Sequence, residues 1–124
     1  VICTSLTNIT VPNSVTSIGD FAFRGCSSLS TITIPESVTS IGLGAFRGCS
    51  TLTSITIPDG VTSIGGFAFA DCSRLSTVTF LGDAPKEENR VFFDSFPAIY
   101  RKTEAKGWGE TFAGRPVKLI NEKP

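Results

Sequence analysis

The sequence of 124 residues contains no histidine. That removes the commonest general base and half of the usual zinc ligand set. The four cysteines, Cys3, Cys26, Cys49 and Cys72, stand 23 residues apart. No CxxC pair exists, and zinc sites need such short spacings. No apolar run approaches the roughly 20 residues of a membrane span. Surplus charge is missing too, with 11 basic against 11 acidic residues. Nucleic acid and anionic membrane surfaces both ask for excess positive charge, so neither is expected as a partner. The carboxylates of the repeats, Asp20, Glu36, Asp59 and Asp71, fall on turns, and Glu87 and Glu88 are adjacent in a polar stretch. None of these makes the separated carboxylate pair that acid/base hydrolysis requires. Asn13, Glu36 and Asp59 share one column, too few oxygens for calcium, which takes six to eight. The expectation is no catalytic residue, no metal and no cofactor.

What is present is a repeat. Leucines recur at Leu6, Leu29, Leu52 and Leu75, a step of 23, and prolines (Pro12, Pro35, Pro58) and phenylalanines (Phe23, Phe46, Phe69) keep it. A fixed step of this size marks a solenoid, each unit one coil stacked on the last. The unit reads L-x-x-I-x-I-P-x-x-V-x-x-I-G-x-x-A-F-x-x-C-x-x. Leu29, Ile32 and Ile34 alternate with Thr31 and Thr33, which predicts a strand with one buried face, ended by Pro35. Val38 and Ile41 form a second, shorter extended segment closed by Gly42; the column Gly19, Gly42, Gly65 is read as a left-handed or tight turn. Ala45, Phe46 and Cys49 have the spacing of one helical or 3-10 turn, ended by Gly25, Gly48 and Asp71 in left-handed geometry. Stacked strands would lie about 4.8 Å apart in a parallel sheet.

These columns resemble the BspA-like class of bacterial leucine-rich repeats, on Leu29, Ile32, Ile34, Pro35, Val38, Ile41, Gly42, Ala45, Phe46, Cys49 and their equivalents. The resemblance runs from residue 1 to about 80. It implies a leucine-rich repeat solenoid: a right-handed α/β-type coil with short strands and short helical turns, a parallel sheet on one face and a C-terminal cap. It also implies a surface-exposed or secreted bacterial protein acting in adhesion or recognition without catalysis. Residues 1–80 are expected to hold a partial repeat followed by 23-residue repeats, and residues 81–124 a degenerate last repeat and the cap.

The fourth copy starts normally at Leu75, then Lys86-Glu87-Glu88-Asn89-Arg90 replaces the apolar second segment. Phe92 restores the phenylalanine column and Ser95 stands where cysteine would be. Ala98-Ile99-Tyr100 reads as a last strand, Thr103–Lys106 as a short helical turn, and Trp108, Phe112 and Val117–Ile120 as the cover of the open end. The FLGDAP and AKGWGETFAGRP segments resemble the closing part of such proteins. The opening residues read as the tail of an earlier repeat, so a longer parent with any targeting signal upstream is expected.

Fifteen of the 22 charged residues fall after Leu81, leaving the repeats as an apolar stack coated with Thr and Ser. Asn8, Thr10, Thr31, Thr33, Ser54, Thr56, Thr77 and Thr79 are expected to point outward from the strands, as the candidate binding face. Threonine also simply suits exposed strand positions, and the face lacks the Trp, Tyr and Arg of protein hot spots. The cysteines are expected to form a buried thiol ladder, with a disulfide as the alternative. Asn8-Ile9-Thr10 fits a glycosylation sequon, and Arg24, Arg47 and Arg74 are read as solvated. Ile2, Leu6, Ile9 and Val11, with Cys3, are expected to lack a covering coil and to form a self-association end, the basis for a homodimer. The functional expectation is a recognition or adhesion module binding protein or polysaccharide, secreted or at the cell surface. The alternatives are a structural spacer, or carbohydrate or ice binding on the threonine ladder.

Overall fold

The computed structural model of the protein describes residues 7–120 apart from Asn89. The strands, in chain order, are β1 (Asn8–Thr10), β2 (Ser17–Ile18), β3 (Thr31–Thr33), β4 (Ser40–Ile41), β5 (Ser54–Ile57), β6 (Ser63–Ile64), β7 (Thr77–Phe80), β8 (Lys86–Glu87), β9 (Ala98–Arg101), β10 (Thr111–Phe112) and β11 (Arg115–Leu119). They make a parallel β-solenoid. The alternation of apolar and hydroxyl residues forms β1, β3, β5 and β7, with Ile32, Ile55 and Val78 turned into the core. Pairing keeps the 23-residue step, as in Ile9 with Ile32, Ile55 with Val78, and Ile41 with Ile64. The second sheet, β2-β4-β6-β8, closes the other side of the coil. Lys86 and Glu87 keep the backbone ladder there, opposite Ser63 and Ile64, although the sequence departs from the apolar pattern at these positions.

The stretch after each second strand is not helical. Its N–H groups alternate: Ala45, Arg47 and Cys49 donate three residues back, whereas Gly44, Phe46 and Gly48 donate to Gly66, Ala68 and Ala70 of the next coil at 2.7–2.9 Å. A helix would keep every N–H to itself; stacking claims every second one. Two columns hold this shape with positive φ. One is Gly25, Gly48, Asp71 and Asp94, at 74°, 80°, 57° and 55°, as expected for its first three members. The other is Phe21, Gly44, Phe67 and Arg90, at 57° to 59°. Of the two readings of the column Gly19, Gly42, Gly65, the left-handed one is corrected and the tight turn holds: Ala22, Ala45 and Ala68 N each donate to the glycine carbonyl three residues back. A Cβ on Gly42 would lie 2.5 Å from Asp20 Oδ1 and 2.6 Å from Asp20 N, and one on Gly65 would lie 2.5 Å from Leu43 N. Glycine is required there because the preceding coil's backbone presses against it.

The core is one column per side chain. Phe23, Phe46, Phe69 and Phe92 stack in sequence, with centroids 5.4, 5.3 and 5.7 Å apart and planes within 18° of parallel. Leu29, Leu52, Val38, Ile64 and Ala45 are fully excluded from water. At the far end the coil shortens: Val78 pairs with Ile99, 21 residues on, and Ile99 with Val117, 18 on. β9 is therefore not the last strand, since β11 extends the sheet and β10 folds back on it. Thr103–Lys106 makes a turn, with Ala105 N donating to Lys102 O, rather than a helix. Trp108 and Phe112 close over Phe80 at 4.9 and 5.2 Å, the covering role expected of them.

Candidate functional site

The strand face carries Asn8, Thr10, Thr31, Thr33, Ser54 and Thr56 exposed, as their alternation requires. The ladder of hydroxyls does not continue as expected. Thr77 is half-buried and Thr79 is only 5% exposed. Thr79 stands opposite Tyr100 on β9, itself 6% exposed, so a large ring at the neighbouring position encloses that end of the face. The open part of the face is thus confined to β1, β3 and β5.

Within that part the sheet is interrupted. No strand ladder joins β3 to β5; the sheet splits into β1-β3 and a five-stranded portion beginning at β5. The other side of the same two coils stays closed, with β4 paired to β6 and the turn amides bonded across. The interruption opens a groove of about 340 Å³ lined by Thr31, Thr33, Ser54 and Thr56, with Ile32 and Ile55 below and Glu36 beside it. Many hydroxyls elsewhere are committed to the stack. Ser30, Thr39, Thr62 and Ser76 each donate to the carbonyl 23 residues back, at 3.0, 3.2, 3.3 and 3.1 Å. Those of Thr31, Thr33, Ser54 and Thr56 bond to no other described protein group, so they are available to a ligand.

A second surface, on the turns, was not apparent in the sequence. Phe21, Leu43 and Phe93 are 41%, 42% and 38% exposed, and Phe96 is 73% exposed. Arginines lie over rings along this side: Arg24 over Phe21 at 5.5 Å, Arg47 over Phe67 at 5.1 Å, and Arg90 over Phe93 at 5.6 Å. Arg47 also pairs with Asp71 at 3.3 Å. These arginines are therefore held on aromatic faces rather than simply solvated, and the ring quadrupole favours that placement. The signal in the sequence was Phe-Ala-Phe at 21–23 and 67–69: two rings two residues apart cannot both enter one core column.

The cysteine column has a shared hydrogen-bond role. Cys49 Sγ donates to Phe23 O and Cys72 Sγ to Phe46 O, both at 3.2 Å, and Ser95 Oγ donates to Phe69 O at 2.6 Å. Serine thus substitutes for cysteine without losing the bond. Burial pushes the thiols up, Cys49 to about 11 and Cys72 to about 12, with Cys49 and Asp71 adding to the effect at Cys72. The expected ladder of four thiols is corrected at Cys26, which is disulfide-bonded; Cys49 and Cys72 are free. The partner of Cys26 lies outside the described residues.

Of the proposed self-association end, Ile2, Cys3 and Leu6 lie outside the described residues. Val11 is buried at 8% exposure and Ile9 is half-buried. Both bond to the following coil: Ile9 pairs with Ile32, and Val11 N donates to Thr33 O at 3.2 Å. An apolar groove lined by Ile9, Val11, Val15, Ile18 and Phe23 remains there. Among the described residues no group of three His, Cys, Asp or Glu could hold a metal ion, and no helix is long and apolar enough to cross a membrane.

Comparison with known proteins bears on this geometry. Residues 2–99 match the model of the BspA type leucine rich repeat region, in six copies. The solved T. pallidum leucine-rich repeat protein TpLRR is similar, with 30% identity and a TM-score of 0.70 over 79% of this chain and 47% of that one. A leucine-rich cell surface protein from Faecalibacterium prausnitzii A2-165 is 29% identical, with a TM-score of 0.65 over 83% of this chain and 37% of that one. The chain therefore spans less than half the length of either. Among curated proteins none matches it in sequence. Leucine-rich repeats typically serve as non-enzymatic interaction modules. The repeat columns, the 23-residue register of the paired repeats and the family match agree: the chain belongs to the BspA-type leucine-rich repeat family.

Proposed function

We propose that the chain is a non-enzymatic recognition module of a bacterial surface or secreted protein, engaging protein or polysaccharide through its strand face. The observation that carries this reading is the groove between β3 and β5, where hydroxyls of Thr31, Thr33, Ser54 and Thr56 stand free while those around them are spent on stacking. Binding sites on rigid scaffolds need polar groups that the fold has not already satisfied. A disulfide at Cys26 supports an oxidising, extracytoplasmic location, as does the cell-surface description of the F. prausnitzii relative. The test is binding of the chain to an array of glycans and extracellular-matrix proteins, repeated with Thr33→Arg and Thr56→Arg. Both positions are exposed, so the variants should fold and lose binding. Binding that survives both substitutions would remove the strand face from consideration.

The turn surface supports a second reading, docking of a protein partner. Phe21 and Phe67 occupy positive φ, which a bulky side chain adopts at a cost of roughly 1–2 kcal/mol, while Gly44 fills the same column freely. Backbone strain that displays rings beside arginines has the composition of a protein hot spot. Binding lost on Phe21→Ala and Phe93→Ala, with Thr33→Arg without effect, would favour this surface.

A further inference from the structure

We infer that the interruption between β3 and β5 is a binding slot for an uncharged oligosaccharide. This rests on the strand face being the binding surface and specifies its ligand. The facing edges of Thr31–Thr33 and Ser54–Ile57 lack the ladder that joins β1 to β3 and β5 to β7. Peptide N–H and C=O groups along those edges are therefore not bound strand to strand, and such groups demand partners. The slot offers donors and acceptors together, and the free hydroxyls of Thr31, Thr33, Ser54 and Thr56 line its rim. Glu36 adds one carboxylate, an acceptor that takes two adjacent sugar hydroxyls.

Width decides against a peptide. A strand inserted in the plane of a sheet needs about 9.6 Å between its neighbours, twice the interstrand spacing. Cα atoms of β3 and β5 approach within 8 Å, so no peptide strand fits between them. A hydroxyl projecting from a sugar laid over the slot reaches in and needs no such width; it also donates and accepts at once, matching the mixed edges. The lining contains no aromatic ring and no arginine, the groups that anchor protein partners. It contains no cation either, which leaves an acidic glycan unmatched. At about 340 Å³ the groove is at the small end of ligand sites, the size of a short oligosaccharide segment.

The test is a titration of the isotopically labelled chain with cellohexaose, chitohexaose and mannohexaose, following backbone amide shifts. The expected result is that at least one sugar moves the amides of residues 31–34 and 54–57. Thr33→Val with Thr56→Val, which deletes two hydroxyls at exposed sites, should weaken that binding at least ten-fold. Unchanged amide shifts around Phe92 and Ile99 in the variant verify its fold. No movement of the slot amides by any of the three at millimolar concentration overturns the proposal, as does binding unaltered in the valine variant. Movement of those amides by an extended peptide alone overturns the sugar assignment and leaves the strand-face reading standing. Ligands of either class that move only Phe21, Phe67 and Phe93 overturn both.

Discussion

Replacing Cys49 and Cys72 together by serine should flatten the alkaline loss of stability. Both side chains are wholly buried, and each donates to a phenylalanine carbonyl of an earlier coil, the bond that Ser95 makes with a hydroxyl. The double variant therefore keeps the bonds and loses only the titration. In the folded chain the thiols ionise near 11 and 12, against an ordinary value of 9.0, because burial penalises the thiolate. A pKa raised by folding means the folded state holds its proton more tightly. The stabilisation is whole below pH 9 and is lost as pH rises through 11 to 12. At about pH 10.5 the unfolded chain gains roughly 2 kcal/mol from ionising each thiol, so about 4 kcal/mol for the pair. Urea unfolding at about pH 8 and about pH 10.5, for both proteins, measures this directly. Every other side chain is common to both proteins and cancels in the comparison. Thiolates of the unfolded chain attack disulfides, so reversibility and an intact bond at Cys26 are checked after each transition. The original protein should lose about 4 kcal/mol more than the variant over that interval. Equal losses would mean that the thiols ionise in the folded chain, and that the column is hydrated rather than sealed.

Three further outcomes follow from the stacking. Gly65→Ala places a methyl group 2.5 Å from Leu43 N and should cost about 1–3 kcal/mol or more, whereas Gly19→Ala meets no described atom within 4 Å and should be neutral or stabilising by up to about 1 kcal/mol; equal effects in thermal unfolding would refute the close-approach explanation. Phe46→Ala empties the middle of the ring stack, between Phe23 and Phe69, and should cost about 3–5 kcal/mol by urea denaturation. Asp94→Gly removes an exposed side chain from φ 55° and should leave the melting temperature unchanged or higher, since Gly25 and Gly48 fill the same column; a marked drop would show that Asp94 holds a contact of its own.

Much of the coil was legible because its rules are local. Alternation over Leu29–Ile34 placed Ile32 inside and Thr31 and Thr33 outside, and the structure agrees. Asp71 in a glycine column signalled positive φ from one residue's tolerance alone. The candidate site was legible only in part. Hydroxyl alternation marked the face, but not which hydroxyls would be spent on carbonyls 23 residues away. The spacing of Ala45, Phe46 and Cys49 suited a helical turn, and nothing in one coil shows that the next coil will claim every second amide.

The sequence by itself determined the length of the coil, its core columns and the covered far end, because a repeated 23-residue step forces equivalent side chains into register. Only the tertiary structure decided the rest, because those features depend on distances between coils. Gly42 and Gly65 are explained by a backbone pressed against them, Thr79 by Tyr100 on a strand that the shortened coil brings alongside, and the groove by two strands that fail to pair. Side-chain periodicity reports direction within a coil; how closely the next coil approaches is set by packing on both sides of the stack at once.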